Sequence, residues 1–318
     1  MRLSFPLGIL SFLILLSLLS PLVAPYPYDL QQRDSPLHPP TRIVITKDGL
    51  MVRQYTLKDP LFRKYAPTER LCKVSFFKKT PYGRKLISTQ DGCKIFILGT
   101  DRLGRDIFSR LLYATKISLS VGFVGVLTTF FFGSLFGGIA GYYGGKIDSI
   151  IMRIAEILMA IPTFYLMISL RSVFPLNMSS EKVFIAIVFI LSVIGWAVLA
   201  RVVRGMVLSL REKEFVIAAR SFGAGPIYTL RVHILPGVLY YLLVSSTLAF
   251  TGFILAEATL SFLGLGIQEP KPSLGNMLSD ARNISLITSH PWILAPGGVL
   301  FLLVLAFNLL GDELSKNR

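Results

Sequence analysis

Residues 117–141 read ISLSVGFVGVLTTFFFGSLFGGIAG and contain no charged side chain. A helix needs about 20 mainly apolar residues to cross the hydrocarbon core of a bilayer, and this stretch is long enough. Inside lipid the backbone polar groups must be satisfied within the segment, so a run of this length is predicted to be a helix. The stretch therefore indicates an integral membrane protein.

Five further apolar runs accompany this one. They cover residues 5–24, 150–170, 183–200, 238–263 and 292–310. Hydrophobic residues make up 53% of the chain and charged residues only 16%, below the quarter or so of a soluble domain. The first run could be a secretory signal peptide ending at Ala24, but Pro25 would follow the cut, so residues 1–24 are interpreted as an uncleaved first helix. The sequence predicts an all-α membrane protein with six transmembrane helices.

The orientation follows from charge in the short loops. The loop 201–236 carries six basic residues, whereas the loop 263–291 carries two. Because basic residues stay in the cytoplasm, we expect the loop 201–236 and both termini to be cytoplasmic. Residues 25–116 are then expected outside, since long translocated segments largely escape this rule.

Residues 25–98 are polar and strongly basic, with short alternating stretches at 42–46 and 94–98 that predict strands. We expect a small, mainly β, extracytoplasmic insert. It holds both cysteines, Cys72 and Cys93, for which a disulfide and two free thiols are equally compatible with the sequence. The net charge of +15 is explained by topology signals and anionic lipid, so we expect no nucleic-acid partner.

The loop 201–236 has its own pattern. A charged, helix-forming stretch from Arg211 is followed by the breaker residues 222–226, and a second helical stretch is predicted from Ile227 to about Pro236. Two short helices joined by a fixed turn suit docking into a groove on a partner. An ordinary loop on the bilayer surface fits these features equally well.

The residues of this loop resemble the cytoplasmic "EAA" loop of ABC importer permeases. The matching residues are Glu214, Phe215, Ala218, Ala219, Gly223, His233, Leu235 and Pro236. Ile217 stands where most permeases have Glu, and Gly237 stands where Asn is common. The stretch Glu214-Phe215-Val216 and the His before Leu-Pro are similar to the branch that imports dipeptides and oligopeptides.

Three other segments carry the same resemblance. Residues 98–111, 256–266 and 307–312 are similar to the C-type permease subunit of the peptide/nickel ABC importer family. The likeness covers the first span and residues 98–318. It implies six helices of type I importer architecture in the inner (plasma) membrane, and a coupling helix within the loop.

The resemblance also implies partners. They are a homologous second permease subunit, two ATP-binding subunits that hold ATP and magnesium, an extracytoplasmic solute-binding protein and the lipid bilayer. The chain itself is expected to bind no cofactor or metal and not to be an enzyme: Gly145-Lys146 lacks the earlier Gly and the following Ser or Thr of a phosphate loop. Peptide cargo is the first expectation, with nickel, opines or peptide-like antibiotics, and more distantly a secondary transporter, as alternatives.

Residues 99–116 are predicted to form an amphipathic segment on the outer surface, with residues 103, 107 and 111 on one helix face. The candidate gate or docking residues are Asp101, Gly104, Arg105, Asp106 and Arg110. The alternative is a surface helix with internal salt bridges. Glu257 is a candidate for the translocation path, because an ionisable group within an apolar run is costly; a structural or gating role, or contact with water at the helix end, is the alternative.

Smaller features complete the expectations for the spans. Pro162 is predicted to kink the third span, and Arg153 to pair with Glu156 three residues later. The glycines at 133, 137, 138 and 141 form a small-residue face suited to close packing, with the second permease subunit as one possible neighbour. His233 is assigned a structural role, since a lone His makes no metal site.

Overall fold

The computed structural model describes residues 4–47, 49–89, 92–175 and 178–316. The chain divides into two compact units. The first consists mainly of Ser120–Glu257, with the end of the last helix. The second consists of Leu7–Leu119 and Ala258–Leu305 and contains the only sheet in the described residues.

The helices account for most of the chain. In order they are α1 Ser4–Leu18, α2 Ser20–Val23, α3 Ile107–Tyr143, α4 Gly145–Ala160, α5 Thr163–Ser172, α6 Ser180–Leu210, α7 Glu214–Ser221, α8 Pro226–Tyr228, α9 Leu235–Phe262, α10 Leu274–Met277, α11 Ile284–Ser289 and α12 Ala295–Lys316. A π-helical stretch, Thr229–Ile234, joins α8 to α9. Two 3₁₀ segments, Leu278–Arg282 and Pro291–Leu294, lie before α11 and α12.

Six spans were expected, but fewer helices in the described residues are long and apolar enough to cross a membrane. Four helices are long and apolar enough to cross a membrane, or five if the bent pair α4–α5 counts as one span. The first apolar run is divided, because its helix breaks at Leu19 and a short second helix begins at Ser20 with Pro21 in its first turn. Its main part, α1, has 15 residues, fewer than the roughly 20 that a bilayer needs.

The third predicted span is broken rather than kinked. Helices α4 and α5 meet at 93°. Pro162 disfavours a helical conformation in the residue before it, and Ile161 accordingly has extended φ and ψ of −88° and 128°. The predicted pair on α4 is present, with Arg153 Nη1 lying 3.6 Å from Glu156 Oε2 on an exposed surface.

The glycine face of α3 packs within the chain. A Cβ at Gly133 would lie 2.8 Å from the side chain of Leu199, and one at Gly137 would lie 2.5 Å from the carbonyl oxygen of Ala200. Both neighbours belong to α6. At these two positions the face packs on α6, whereas Gly138 lies closest to Leu230 of the π-helical stretch. The second permease subunit is therefore not the neighbour of Gly133 and Gly137.

Four antiparallel strands form the sheet in the order β1-β2-β3-β4. They are β1 Ile43–Thr46, β2 Gly49–Asp59, β3 Lys64–Thr80 and β4 Gly83–Thr89. Val52, Val74 and Ile95 pack in its core, and a disulfide joins Cys72 to Cys93. Residues 94–98 were predicted to be a strand and are not. Ile95 and Phe96 of this segment are buried, and the backbone N–H of Thr41 donates to the carbonyl oxygen of Phe96.

Candidate functional site

One buried apolar side chain anchors helix α7 to the rest of the chain. Val216 is completely buried and packs with Val207 of α6 and Ile234 of the π-helical stretch. Its two neighbours, Phe215 and Ile217, are each 51% exposed. The helix is thus fixed by its inner side while apolar side chains remain on its outer side.

The turn after α7 has a defined geometry. The backbone N–H of Gly223 donates to Arg220 and that of Ala224 donates to Ala219, a Schellman arrangement in which the last carbonyls of the helix are satisfied. Gly223 has φ of +85°, a conformation that L side chains rarely adopt. The predicted helix break at 222–226 is confirmed, and Gly223 is required for its backbone angle.

Several large apolar side chains on this loop are exposed. Phe222 at the turn is 92% exposed, and Ile227 is 80% exposed. We call the following residues the exposed apolar surface: Phe215, Ile217, Phe222, Ile227 and Tyr228. Clustered apolar groups of this kind mark a contact site with a protein or with lipid.

The second half of the loop does not end at Pro236. Residues Pro226–Phe262 form one continuous helical segment of 37 residues. The π-helical stretch ends at Ile234, two residues before Pro236, and its wider turn accommodates the missing N–H and the ring that would break a regular α-helix. The expectation of a helix ending near Pro236 is therefore wrong.

Arginine side chains tie the loop to the helices beside it. Arg211 donates through Nη1 to the carbonyl oxygens of Gly141 and Tyr142 at 3.1 and 3.4 Å, satisfying the carboxyl end of α3. Arg220 lies over the ring of Tyr142 at 5.9 Å. These contacts hold the loop in one position against α3.

The remaining predicted loop residues lie around this frame. Glu214 begins α7, where a negative charge suits the amino end of a helix. Ala218 is exposed and Ala219 half-buried. His233 is half-buried with its ring 5.7 Å from that of Tyr228. Leu235 and Pro236 continue the helix.

The segment 99–110 differs from its prediction. The helix begins only at Ile107, and residues 99–106 form a turn with an isolated bridge between Thr100 and Asp106. Asp101, Arg105, Asp106 and Arg110 are all buried, whereas Leu103 is exposed. The predicted surface helix is therefore wrong, because these charges satisfy one another inside the second unit.

A carboxylate far along the chain completes this cluster. Arg110 and Arg105 both donate through Nη2 to Oε1 of Glu269, each at 3.0 Å, and Arg105 Nη1 pairs with Glu269 Oε2. Asp101 accepts from Arg105 Nε at 2.7 Å. We call Asp101, Arg105, Arg110 and Glu269 the ion cluster. Glu269 was missed by the sequence reasoning because its partners lie more than 150 positions away.

The two arginines of the ion cluster determine the pKa of Glu269. Burial raises the pKa of Glu269, but the attraction of Arg110 and the hydrogen bond from Arg105 outweigh it, so the pKa is lowered and the carboxylate stays ionised. An adjoining cavity of about 280 Å³ is lined by the cluster and by Arg102, which pairs with Asp280 at 3.2 Å.

Asp106 and Gly104 have structural reasons for their identity. Asp106 Oδ2 accepts from the backbone N–H of Ser109 at 2.8 Å and from its hydroxyl at 2.6 Å, capping the amino end of α3. Burial raises the pKa of Asp106 to about 7. Gly104 has φ of +74° and lies against the carbonyl oxygen of Gln32, so a side chain there would be strained and would collide.

Glu257 is completely buried in α9, so the alternative in which it reaches water at the helix end is excluded in this structure. A cavity of about 340 Å³ lies between α3, α6 and α9, with Thr129, Ser245 and Ser246 among a mainly apolar lining. Ala256 lines this cavity and Glu257 does not.

Residues 133–316 match the family described as "Binding-protein-dependent transport system inner membrane component". This match covers more than half of the chain. The chain belongs to this family. Like its relatives it is an inner membrane component of a transport system, and the matched region contains the whole loop 201–236 as well as Glu257 and Glu269.

Relatives of this transport component carry related names. The dipeptide transport system permease protein DppC of Haemophilus influenzae is 36% identical over 83% of this chain and 85% of its own length. DppC of Alkalihalophilus pseudofirmus is 43% identical over 68% of this chain and 69% of its own length. The nickel transport system permease protein NikC of Escherichia coli K12 is 40% identical over 68% and 76%.

Among solved structures, a chain of the MetNI methionine ABC transporter in an inward-facing form is 18% identical and has a TM-score of 0.49. The structural alignment covers 65% of this transport component and 97% of the solved chain.

Proposed function

We propose that this chain is the C-type permease subunit of an ATP-binding cassette importer that carries peptides across the inner membrane. The observation that carries the proposal is the exposed apolar surface on a loop that is otherwise fixed. Val216 anchors α7, Arg211 ties the loop to α3, and the turn at Gly223 sets the position of Phe222. Such a pre-organised surface suits docking because little conformational entropy is lost on binding.

The importer contains two ATP-binding subunits, and one of them is the partner of this surface and seats α7 as a coupling helix. ATP and magnesium belong to those subunits. Closure of the ATP-binding subunits moves α7, and the movement reaches the spans through α6 and the helical segment that begins at Pro226. This is alternating access driven from outside the membrane, with a rigid element carrying the displacement.

The orientation follows from the same assignment. The loop 201–236 lies in the cytoplasm with both termini, and the sheet and the ion cluster lie outside. There the ion cluster and Gly104 hold the outer segment in the shape that a solute-binding protein meets. A homologous second permease subunit supplies the other half of the pathway, and the cavity lined by Thr129, Ser245 and Ser246 faces that pathway.

Peptides are the cargo favoured by the loop, where Glu214-Phe215-Val216 and His233 are similar to the peptide-importing branch. Relatives with 36–43% identity are named for dipeptides and for nickel. Nickel is therefore the second candidate cargo. In that case the solute-binding protein would supply the specificity, since the described residues contain no cluster of three or more metal-ligating side chains.

The test is uptake into proteoliposomes that contain this chain, its neighbouring permease, the ATP-binding subunits and the solute-binding protein. Peptide entry that requires ATP supports the proposal. Entry of nickel but not of peptides replaces the cargo and keeps the importer. Solute entry driven by an ion gradient without ATP would identify a secondary transporter and overturn it.

The docking role is tested by Phe222→Asp, which places a charge at the centre of the exposed apolar surface. We expect the ATP-binding subunits to be lost on co-purification while the chain remains in the membrane. The matched control is Phe62→Asp, because Phe62 is 65% exposed in the turn between β2 and β3 and lies outside the loop. Equal retention of the ATP-binding subunits by both variants would contradict the docking role.

A further inference from the structure

The hairpin of β3 and β4 is the most basic part of the sheet. Residues 70–90 contain no acidic side chain, and Lys78, Lys79 and Arg84 are exposed around the turn. With no carboxylate in the hairpin to offset them, these charges form a positive surface. An anionic partner is therefore favoured at this place.

Exposed aromatic side chains alternate with these charges. Phe76 is 53% exposed, Phe77 66% and Tyr82 45%. Aromatic rings beside lysine and arginine are typical of surfaces that sit at the boundary between lipid and water, where the ring enters the apolar layer and the cation stays at the headgroups. A purely electrostatic contact with a soluble partner would not need the rings.

The position of the hairpin agrees with that boundary. Lys85, next to Arg84, donates through Nζ to the carbonyl oxygen of Pro21 at 2.9 Å. Leu86 packs on the cluster formed by Val23, Ala24 and Leu112. The hairpin is therefore attached to the place where the first apolar run ends and α3 begins.

That first run has the surface of a lipid-facing helix. Leu15 and Leu18 are each 58% exposed, and the run ends just before Pro25. Tyr28 and Tyr113 pack there with ring centroids 5.0 Å apart and their planes tilted by 58°, and tyrosine is enriched at membrane interfaces. The cavity beside Pro25 and Tyr26 is also lined by Thr80, Pro81 and Tyr82 of the turn, so the hairpin lies at this level.

We propose that the hairpin Phe76–Arg84 is a binding site for anionic phospholipid headgroups in the leaflet at this end of the first helix. Lys78, Lys79 and Arg84 neutralise the phosphates, and Phe77 and Tyr82 enter the headgroup layer. The contact fixes the sheet against the membrane independently of any solute or nucleotide.

The first experiment places a reporter on the hairpin. Tyr82→Trp and Leu61→Trp are compared in the full chain in nanodiscs whose lipids are brominated near the headgroup, after subtraction of the signal of the native Trp196 and Trp292. Leu61 is the matched control because it is 87% exposed in the turn that precedes β3, at the opposite end of that strand from the hairpin. We expect bromine to quench the indole at position 82 more than that at position 61. Equal or weaker quenching at position 82 would overturn the proposal.

The second experiment tests the charge. Lys78→Gln, Lys79→Gln and Arg84→Gln are combined, and the phosphatidylglycerol that remains bound relative to phosphatidylcholine after extraction is counted by mass spectrometry. One basic residue near an anionic surface corresponds to about fivefold in binding, so we expect a loss of at least about fivefold. The control combines Lys47→Gln, Lys58→Gln and Lys64→Gln, which removes the same charge elsewhere on the sheet.

The outcomes separate lipid from other partners. A loss confined to the hairpin variant supports the headgroup site. Equal loss in both variants would mean that net charge alone attracts the lipid, and retention in both would mean that the hairpin does not bind it. Crosslinking of the hairpin to the solute-binding protein with no quenching by lipid would assign the surface to that protein and overturn the proposal.

Discussion

The segment 99–110 and the loop 211–236 are both charged and both adjoin apolar spans, but the structure builds them in opposite ways. In the first, the charges of the ion cluster are buried and Leu103 is exposed. In the second, Val216 is buried, Phe222 is exposed, and the charged side chains are exposed apart from the half-buried Arg211. The difference shows that a charged segment beside a membrane can be an internal ionic core or a surface awaiting a partner. Distant residues decide which.

The largest effect is expected when the ionic core is broken. Arg110→Met removes a cation that is 1% exposed and leaves Asp101 and Glu269 without it. Breaking a buried pair in this way costs about 3 kcal/mol in free energy of unfolding. Denaturant titration of the purified chain in detergent measures this loss.

The control for that variant is an exposed pair. Arg153→Met breaks the contact with Glu156 on α4, where the arginine side chain is 78% exposed, and should cost less than about 1 kcal/mol. If the two variants lose equal stability, the ion cluster is no more of a core than an ordinary surface pair.

The next effect is the pH dependence of the same region. The pKa of Asp106 is about 7 in the folded chain because of burial, with Asp101 adding to the rise, and about 4 when unfolded. The folded chain therefore holds this proton more tightly, and the stability that Asp106 contributes is full below about pH 4 and is lost as the pH rises through about 7. We expect the free energy of unfolding to fall steadily as the pH rises across this window.

Asp106→Asn should flatten that dependence, because asparagine can cap α3 but does not titrate. The matched control is Asp312→Asn, since Asp312 lies exposed on α12 and should leave the profile unchanged. Parallel profiles for the wild-type chain and Asp106→Asn would show that another group is responsible.

The role of the turn after α7 is tested by a substitution at Gly223, whose backbone angle suits only glycine. Gly223→Val forces an L side chain to φ of +85°, at a cost of about 1–2 kcal/mol, although the space around the position is open. We expect ATP-dependent uptake to fall about tenfold while membrane insertion is unchanged. Gly225→Val is the control, because Gly225 has φ of −68° and open space as well.

The smallest effect on stability is expected at the exposed apolar surface itself. Phe222→Asp should change the free energy of unfolding by less than about 0.5 kcal/mol, since the ring makes few contacts within the chain. Val216→Ala, at the buried anchor of the same helix, should cost about 1.5 kcal/mol. Comparable losses for the two variants would mean that Phe222 is part of the packing and not a free surface.

The sequence predicted what depends on neighbours in the chain. The apolar runs, the helix at 214–221, its stop near Gly223 and the pair Arg153–Glu156 follow from local spacing, and the structure contains all of them. The sequence did not predict that the helix continues through Pro236. No simple residue pattern indicates the π-helical turn that makes this continuation possible.

Long-range contacts explain the remaining errors. From their spacing, Arg105 and Arg110 were expected on the exposed face of a surface helix. In the structure both pair with Glu269. The glycine face of α3 predicted close helix packing without identifying the neighbour, and at Gly133, Gly137 and Gly141 that neighbour is α6. In both cases the pattern was real, and only the folded chain identifies its neighbour.

The close packing of α3 on α6 limits how this protein can change shape. At Gly133, Gly137 and Gly141 even a methyl group would lie 2.5–2.8 Å from atoms of α6, so sliding one helix along the other would bring bulkier positions into this seam. A shear motion between these two helices is therefore disfavoured, and we expect them to move as one body. Hinge motion uses loop or element-terminal residues, and within this unit the break at Pro162 between α4 and α5 is a place where we expect it.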